Sequence, residues 1–335
     1  MAVRAKDVAA RAGVSVQTVY NVVNEREAEY SDETRSRVMA AVEQLGYLPD
    51  RAARSLRTRR HMQIGYHLAV PQFTSGNMFA LESLREIVSA ANRVGHQIVV
   101  HAEPDFDPRQ FAGLAQALGV DGFILVDGAD DDPRPRLLTE AGVPFAAFGR
   151  IAPELPQAWV DTENEMSMRH IVQHLLDRGH TQFAYLGEDD THFWNRARRA
   201  GANEALAAAG HAIPPALNIV TTLRRAAHDF EACASAATAF ICECDAIAVA
   251  VTGRAAQLGL QAGRDIAVTG FDGSSLAWPM HPTLTTQRYR IREIAEHLLA
   301  QFVAVTEGRP PRAGVLIPPD FTIGTSTGIT RDSGP

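Results

Sequence analysis

Val16, Gln17 and Tyr20 combine side-chain types and spacing suited to reading the edges of DNA bases. A Gln amide donates and accepts at once, which matches an adenine edge, and Val offers apolar contact to a thymine methyl. These groups can act only if a helix presents them from its first turns. The surrounding residues predict that helix and one before it. Val8, Ala9 and Ala12 share one face of a first segment, and Val16, Val19, Val22 and Val23 repeat at helical spacing in a second. Gly13 allows the left-handed backbone of a sharp turn, and Ser15 is a good N-cap for the second segment. The pattern is that of a helix-turn-helix, whose second helix lies in the major groove. A plain helical hairpin in a bundle would show the same spacing.

The next residues favour DNA. Ser31 with Asp32 and Glu33 after it predicts a helix start, Val38, Ala41, Val42 and Leu45 form its apolar stripe, and Gly46 ends it. Pro49 then suits a further helix start. Arg51, Arg54, Arg57, Arg59 and Arg60 come next, with Ala53 and Leu56 three apart on one face. A solvated linker needs the charges but not the apolar pair. A segment pressed on DNA uses both, with arginines on phosphates and a leucine wedge in the minor groove.

Over these residues the sequence resembles the LacI/GalR family of transcription regulators, through "KDVAARAGVS", "QTV", "VVN", "SDETRSRVMAAVEQLGY" and "RAARSLRT" in the family's order. The resemblance implies a hinge helix over residues 50–57 that orders on operator DNA, with the minor-groove leucine at Leu56, its small neighbour at Ala53, and Arg54 between them. It places base-reading positions at Val16, Gln17 and Asn21, and phosphate contacts around Ser15, Thr18 and Asn24. Tyr20 and Asn21 depart from the family, where Ser or Ala and then Arg are commoner; the departure bears on base preference rather than on binding mode.

The chain of 335 residues carries a formal net charge of −7, but the charge is unevenly spread. Residues 1–60 hold 11 Lys and Arg against 8 Asp and Glu, and the remainder holds 21 against 31. A basic head on an acidic body suits nucleic acid at one end alone. Cys233, Cys242 and Cys244 are too few and too oddly spaced for a disulfide framework, and they read as small hydrophobes in a reducing compartment. The polar start and the lack of a spanning apolar stretch predict a cytoplasmic protein with no membrane partner.

From residue 62 the pattern alternates. Short apolar runs predict strands over 63–70, 97–102, 122–126 and 144–148, with helices near 79–94, 109–118 and 136–141. A second series predicts strands over 158–160, 183–186, 246–251 and 266–270, with helices near 165–178, 196–209 and 229–242. Repeated βαβ units imply parallel sheets with ligand positions at the carboxyl ends of strands, here in two lobes around a cleft. The acidic stretch 130–132 and the pair Arg224-Arg225 read as exposed loops.

The body resembles the same family in "RVGHQIVV", "VDGFILV", "AGVPFAAFGR", "VDTENEMSMRHIVQHLLDRGHTQFAYLGE", "GRDIAVTGFDG" and "LTTQRYRIREIAEHLLAQFV". That implies an α/β fold: a small all-α helix-turn-helix head over 1–48, a hinge helix and linker over 49–61, and a two-lobed periplasmic-binding-protein-like body over 62–335. Lobe 1 would take about 62–160 and 290–320, and lobe 2 about 161–289 and 321–330. It also implies a homodimer, because a two-fold operator needs two heads. In "WNRARRAG" the family's effector-binding arginine falls on Arg198, and in "GFDG" its acidic residue falls on Asp272. Trp194 would stack on a sugar face or a base, and Phe73, Asn77, Phe79 and Arg150 lie where the first lobe would meet a ligand.

Two departures concern the pocket. The family's Asn-Asp after the strand matched to 246–251 appears as Thr252-Gly253 before a helix two turns short, and a family arginine before the closing Ser-Thr appears as Gly324, altering the pocket floor. Enzyme signatures are missing: no G-x-G-x-x-G after the first strand, no P-loop lysine and no G-x-S-x-G. His170 and His174 lie four apart on an expected helix without the Glu of a metalloprotease motif. The expectation is therefore a non-enzymatic DNA-binding regulator, a repressor controlled by a sugar or sugar-like effector between the lobes, with double-stranded pseudo-palindromic operator DNA as partner and no cofactor or metal. A corepressor-dependent regulator binding a purine or nucleoside is the alternative. A solute-binding transport protein would share the body fold but would need an export signal.

Overall fold

The computed structural model describes residues 3–23, 30–47, 60–67, 78–102, 107–151, 155, 157–311 and 314–328. The chain divides into two units, Met1–His61 and Met62–Pro335, each taken by itself.

Local sequence signals build the first unit. Helix α1 (Ala5–Ala12) ends at Gly13 with φ 67°. The Ser15 Oγ accepts the Thr18 N–H at 3.0 Å and starts α2 (Val16–Val23). Ser31 caps α3 (Asp32–Leu45) by accepting the Thr34 N–H at 3.3 Å, and Gly46 closes it with φ 61°. Val8, Ala12, Val19, Val22, Val38 and Tyr47 form the small shared core.

The second unit holds two six-stranded sheets. The first runs, strand by strand, Val315–Ile317, Ala158–Thr162, Phe145–Phe148, Phe123–Val126, Gln63–His67 and Gln97–His101, and the second Asp320–Thr322, Thr285–Arg288, Ala267–Asp272, Ala239–Cys242, Phe183–Gly187 and Asn218–Val220. In chain order the elements are β1 (Gln63–His67), α4 (Met78–Arg93), β2 (Gln97–His101), α5 (Phe111–Leu118), β3 (Phe123–Val126), α6 (Arg134–Glu140), β4 (Phe145–Phe148) and β5 (Ala158–Thr162). Then come α7 (Asn164–Leu176), β6 (Phe183–Gly187), α8 (Phe193–Ala208), β7 (Asn218–Val220), α9 (Ala226–Cys233), β8 (Ala239–Cys242), α10 (Asp245–Gln257) and β9 (Ala267–Asp272). The last are β10 (Thr285–Arg288), α11 (Ile291–Thr306), β11 (Val315–Ile317) and β12 (Asp320–Thr322). Among the described strands every pairing is parallel except β10 with β12.

The chain passes between the lobes at β5–α7, β10–α11 and β11–β12. Helix α11 packs Ile294, Leu298 and Phe302 into the core of the first lobe, so the chain returns there after residue 290. Helix α7 packs Met168, Ile171 and Leu175 into the second.

Several expected elements are corrected. The run 246–251 is not a strand but part of α10, and the strand is β8, inside what reads as a helix over 229–242. Ala-Val alternation fits either period; helix wins because Ile247, Ala248, Val251 and Ala255 turn one face to the core. The strand at 158–160 closes the first sheet, pairing in parallel with β4 and β11, and does not open the second. The helix before Gly259 is not shortened, since α10 has 13 residues and contains Thr252 and Gly253. The stretch 130–132 is a turn as expected, with Asp130 and Asp131 exposed; within it Asp130 pairs with Arg196 and the half-buried Asp132 chelates Arg134.

Candidate functional site

A cavity of about 370 Å³ lies between the two lobes. Residues at the carboxyl ends of parallel strands line it: Tyr66 of β1, Val126 and Asp127 at β3, Phe148 and Arg150 at β4, Glu188 after β6, Glu243 after β8 and Asp272 of β9. Open parallel sheets place ligands there because the strand ends and the helix starts beyond them leave backbone polar groups unpaired.

Arg198, on α8, is 2 % exposed and is held from all sides. Its Nε donates to Asn164 Oδ1 at 2.9 Å, one terminal nitrogen to the Glu243 carbonyl at 2.6 Å and the other to the Tyr289 hydroxyl at 2.5 Å. Its guanidinium carbon lies 3.6 Å from the Phe271 ring centre and 4.8 Å from that of Trp194. The Asp272 carboxylate is 3.5 Å away. Burial works against the charge on Arg198, but Tyr289, Asp272 and Glu243 outweigh it and raise its pKa. Burial pushes Asp272 well above the usual carboxylate range even with Arg198 beside it. Asp272 also has φ 113°, a strained conformation at a strand end, just before Gly273.

Other carboxyls surround this pair. Glu243, 1 % exposed, accepts from the Tyr185 hydroxyl at 3.0 Å, the Glu188 N–H at 2.7 Å and Asn195 Nδ2 at 3.0 Å. Asp245 accepts from the Ser274 N–H at 2.7 Å and the Thr286 hydroxyl at 2.6 Å, and burial pushes it up to about 7. Arg150 bonds Asp161 at 3.2 Å and lies 4.1 Å from the Phe193 ring centre. Phe79 meets Tyr289 with ring centres 4.5 Å apart, making an aromatic wall.

Arg198, Asp272, Trp194, Phe79 and Arg150 thus line one cavity, although they come from distant parts of the chain. Phe73 and Asn77 lie outside the described residues. Gly324 does not line the cavity: a side chain there would strike the Thr283 and Leu284 backbone, so the floor is not formed by this position. Sequence reasoning missed Tyr289, Asp161, Asn164 and Glu243. The misplaced strand hid Glu243, which becomes visible as a strand-end acid once β8 is put at Ala239–Cys242. His170 and His174 do not converge: His174 is buried against the Thr327 hydroxyl at 2.8 Å, and His170 is exposed. The cysteines are free, with Cys233 and Cys242 buried and Cys244 at the cavity.

In the first unit Ser15, Val16 and Gln17 are exposed, and Thr18 and Tyr20 are half-buried. Asn21 is 8 % exposed, and its Oδ1 accepts from Gln17 Nε2 at 2.8 Å. It sits behind Gln17 rather than beside it, which sequence spacing alone did not reveal. Asn24, Ala53, Arg54 and Leu56 lie outside the described residues.

A helix-turn-helix unit and a two-lobed body with a ligand-sized cleft, on one chain, define a regulator of the DNA-binding, ligand-sensing class. Residues 5–50 match the bacterial regulatory proteins of the lacI family, and residues 172–327 match the periplasmic binding protein-like domain. The HTH-type transcriptional regulator CelR of Thermobifida fusca is 31 % identical over 298 residues, covering 83 % of this chain and 84 % of the relative. A solved CelR–cellobiose complex superposes with TM-score 0.73 at 24 % identity, over 97 % of this chain and 99 % of that one. The lac repressor dimer bound to operator and the anti-inducer ONPF gives 0.77 at 24 % identity, over 98 % and 99 %. The chain belongs to the lacI family of bacterial regulatory proteins: it is a DNA-binding transcriptional regulator and not an enzyme. Among the described residues no helix is long and apolar enough to cross a membrane.

Proposed function

We propose that the protein is a cytoplasmic repressor that binds a pseudo-palindromic operator as a homodimer and is controlled by a sugar or sugar-like effector in the interlobe cavity. The observation that carries the effector reading is the buried Arg198 fan, joined to Asp272 and walled by Trp194, Phe271 and Tyr289. Fixed donors and acceptors beside aromatic faces suit a molecule with many hydroxyls and apolar ring faces. The likeness to a CelR–cellobiose complex supports the same choice. Val16 and Gln17 are proposed to read bases, with Asn21 orienting the Gln17 amide, and Ser15 and Thr18 to meet phosphate. Asn24 joins the phosphate contacts, and Ala53, Arg54 and Leu56 form the hinge segment with its minor-groove wedge.

The mechanism is linkage. An effector that favours engaged lobes biases the dimer, and through it the hinge segments, between two states. It shifts operator affinity only by its own difference in affinity for the two. Selection of random duplex DNA by the purified protein, sequenced at two salt concentrations, tests the DNA part. A two-fold motif with a flexible central step supports it; enrichment of no motif, with and without added metabolites, contradicts it.

A further inference from the structure

Resting on the reading of the cavity as the effector site, we propose that it selects by charge, admitting uncharged or positively charged hydroxyl-rich ligands and rejecting phosphorylated sugars and sugar acids. The basis is an unequal set of ionisable groups, acidic ones outnumbering guanidinium groups that are already engaged. Among the described residues Asp127, Asp161, Glu188, Glu243 and Asp272 line the cavity against two guanidinium groups, those of Arg150 and Arg198.

Both guanidinium groups are already countered. Arg198 directs its three nitrogens to Asn164, the Glu243 carbonyl and Tyr289, with Asp272 beside it and Phe271 against its face. Arg150 is bonded to Asp161 and lies over Phe193. Three donors satisfy the Glu243 carboxyl, so it offers no vacant positive partner to a ligand, and burial holds its pKa above the usual value. The start of α10, where free backbone N–H groups would otherwise favour an anion, carries Asp245 as its first residue.

A second group of carboxyls is contributed by both lobes. Asp127 comes after β3 and Glu188 after β6, and both line the cavity with His192, whose Nε2 is 3.6 Å from Asp127 Oδ1. Burial, then Glu243 and Asp127, hold the Glu188 pKa above its usual value against the opposing pull of His192. This end of the cavity therefore disfavours further negative charge, since burial and the neighbouring carboxyls already oppose the charge on Glu188. A phosphate or carboxylate on the ligand would add to it. A hydroxyl or an ammonium would donate to it.

The test titrates the full-length protein with cellobiose, its 2-amino counterpart and its 6-phosphate, and with a panel of soluble metabolites sorted by charge. Binding is read by thermal shift and tryptophan fluorescence, with Asp272→Asn as the control for cavity occupancy. The expected binders are neutral or cationic, and the anionic derivative of any binder is weaker by about tenfold or more. In the double variant Asp127→Asn, Glu188→Gln that gap narrows. An anionic ligand that binds in the cavity as tightly as its neutral parent overturns the proposal, as does a gap the double variant leaves unchanged. Neutral binders that are not sugars keep the charge selection and remove the sugar reading. A panel with no binder of any charge contradicts the effector site and this proposal with it.

Discussion

The Glu82 carboxylate accepts the Ser275 backbone N–H at 2.9 Å, joining helix α4 of the first lobe to the turn after β9 in the second. A second bridge joins Asp130 to Arg196, and the Asp130 N–H to the Thr191 carbonyl at 3.0 Å. The lobes are therefore engaged across the cleft by these bridges as well as by the Asp127–His192 and Arg150–Phe193 contacts that line the cavity. Removing the Glu82 acceptor should favour separated lobes. Glu82→Ala is expected to weaken effector binding by up to about tenfold, the worth of one such hydrogen bond, with little change in melting temperature. Equal affinities in parallel titrations would show that the bridge does not contribute to closure.

Arg198 cannot be replaced by the other basic residue. A lysine ammonium cannot reach Asn164, the Glu243 carbonyl and Tyr289 together, and Arg198→Lys leaves buried acceptors short of donors. A stability loss of about 2–4 kcal/mol is expected, with loss of the effector response. Asp272→Asn should spare folding, because Asn tolerates positive φ, and should abolish the response while operator recognition persists. An unchanged response in Asp272→Asn would remove that residue from the site.

Asp245 gives a pH dependence with a definite sign. Burial raises its folded pKa to about 7, so the folded body binds a proton that the unfolded chain has released. This contribution is fully present below the unfolded carboxylate range and is lost as pH rises to about 7. Asp245→Asn mimics the protonated form and should flatten the melting profile between about pH 4 and 7. Thermal melts of both proteins across that range check it; identical slopes would assign the dependence to other groups.

Gln17 is the residue on which base preference should turn. Its Nε2 is tied to Asn21, which leaves Oε1 and the second amide hydrogen facing outward, the pair an adenine edge requires. Gln17→Ala should cost about 1–3 kcal/mol at one base position per half-site and leave non-specific binding unchanged. Asn21→Ala should relax the same position less. Competition with single-base operator variants measures both, and a uniform loss at every position would instead make Gln17 a backbone contact.

The head was legible because its signals are local. Gly13, Ser15, Ser31 and Gly46 act within a turn of where they stand, and each cap or left-handed residue is where the spacing put it. The body was legible as an alternation but not in register. The Ala-Val run at 246–251 satisfies both periods, and only the finished core, with β8 between β6 and β9, decides that it is helix. That slip cost Glu243 and Asp245, the acids at the end of the true strand and the start of its helix. Tyr289, Asn164 and Asp161 were missed for another reason: the first two take their meaning from Arg198 and the third from Arg150, partners that only the folded chain brings to them.

The proposed linkage between a ligand in the cavity and an operator on the head is open to direct measurement. Operator affinity is taken with and without a saturating cavity ligand, and ligand affinity with and without operator. A change of about 5- to 150-fold is expected in the first and an equal factor in the second, both lost in Asp272→Asn. A ligand that fills the cavity and leaves operator affinity unchanged would contradict the linkage.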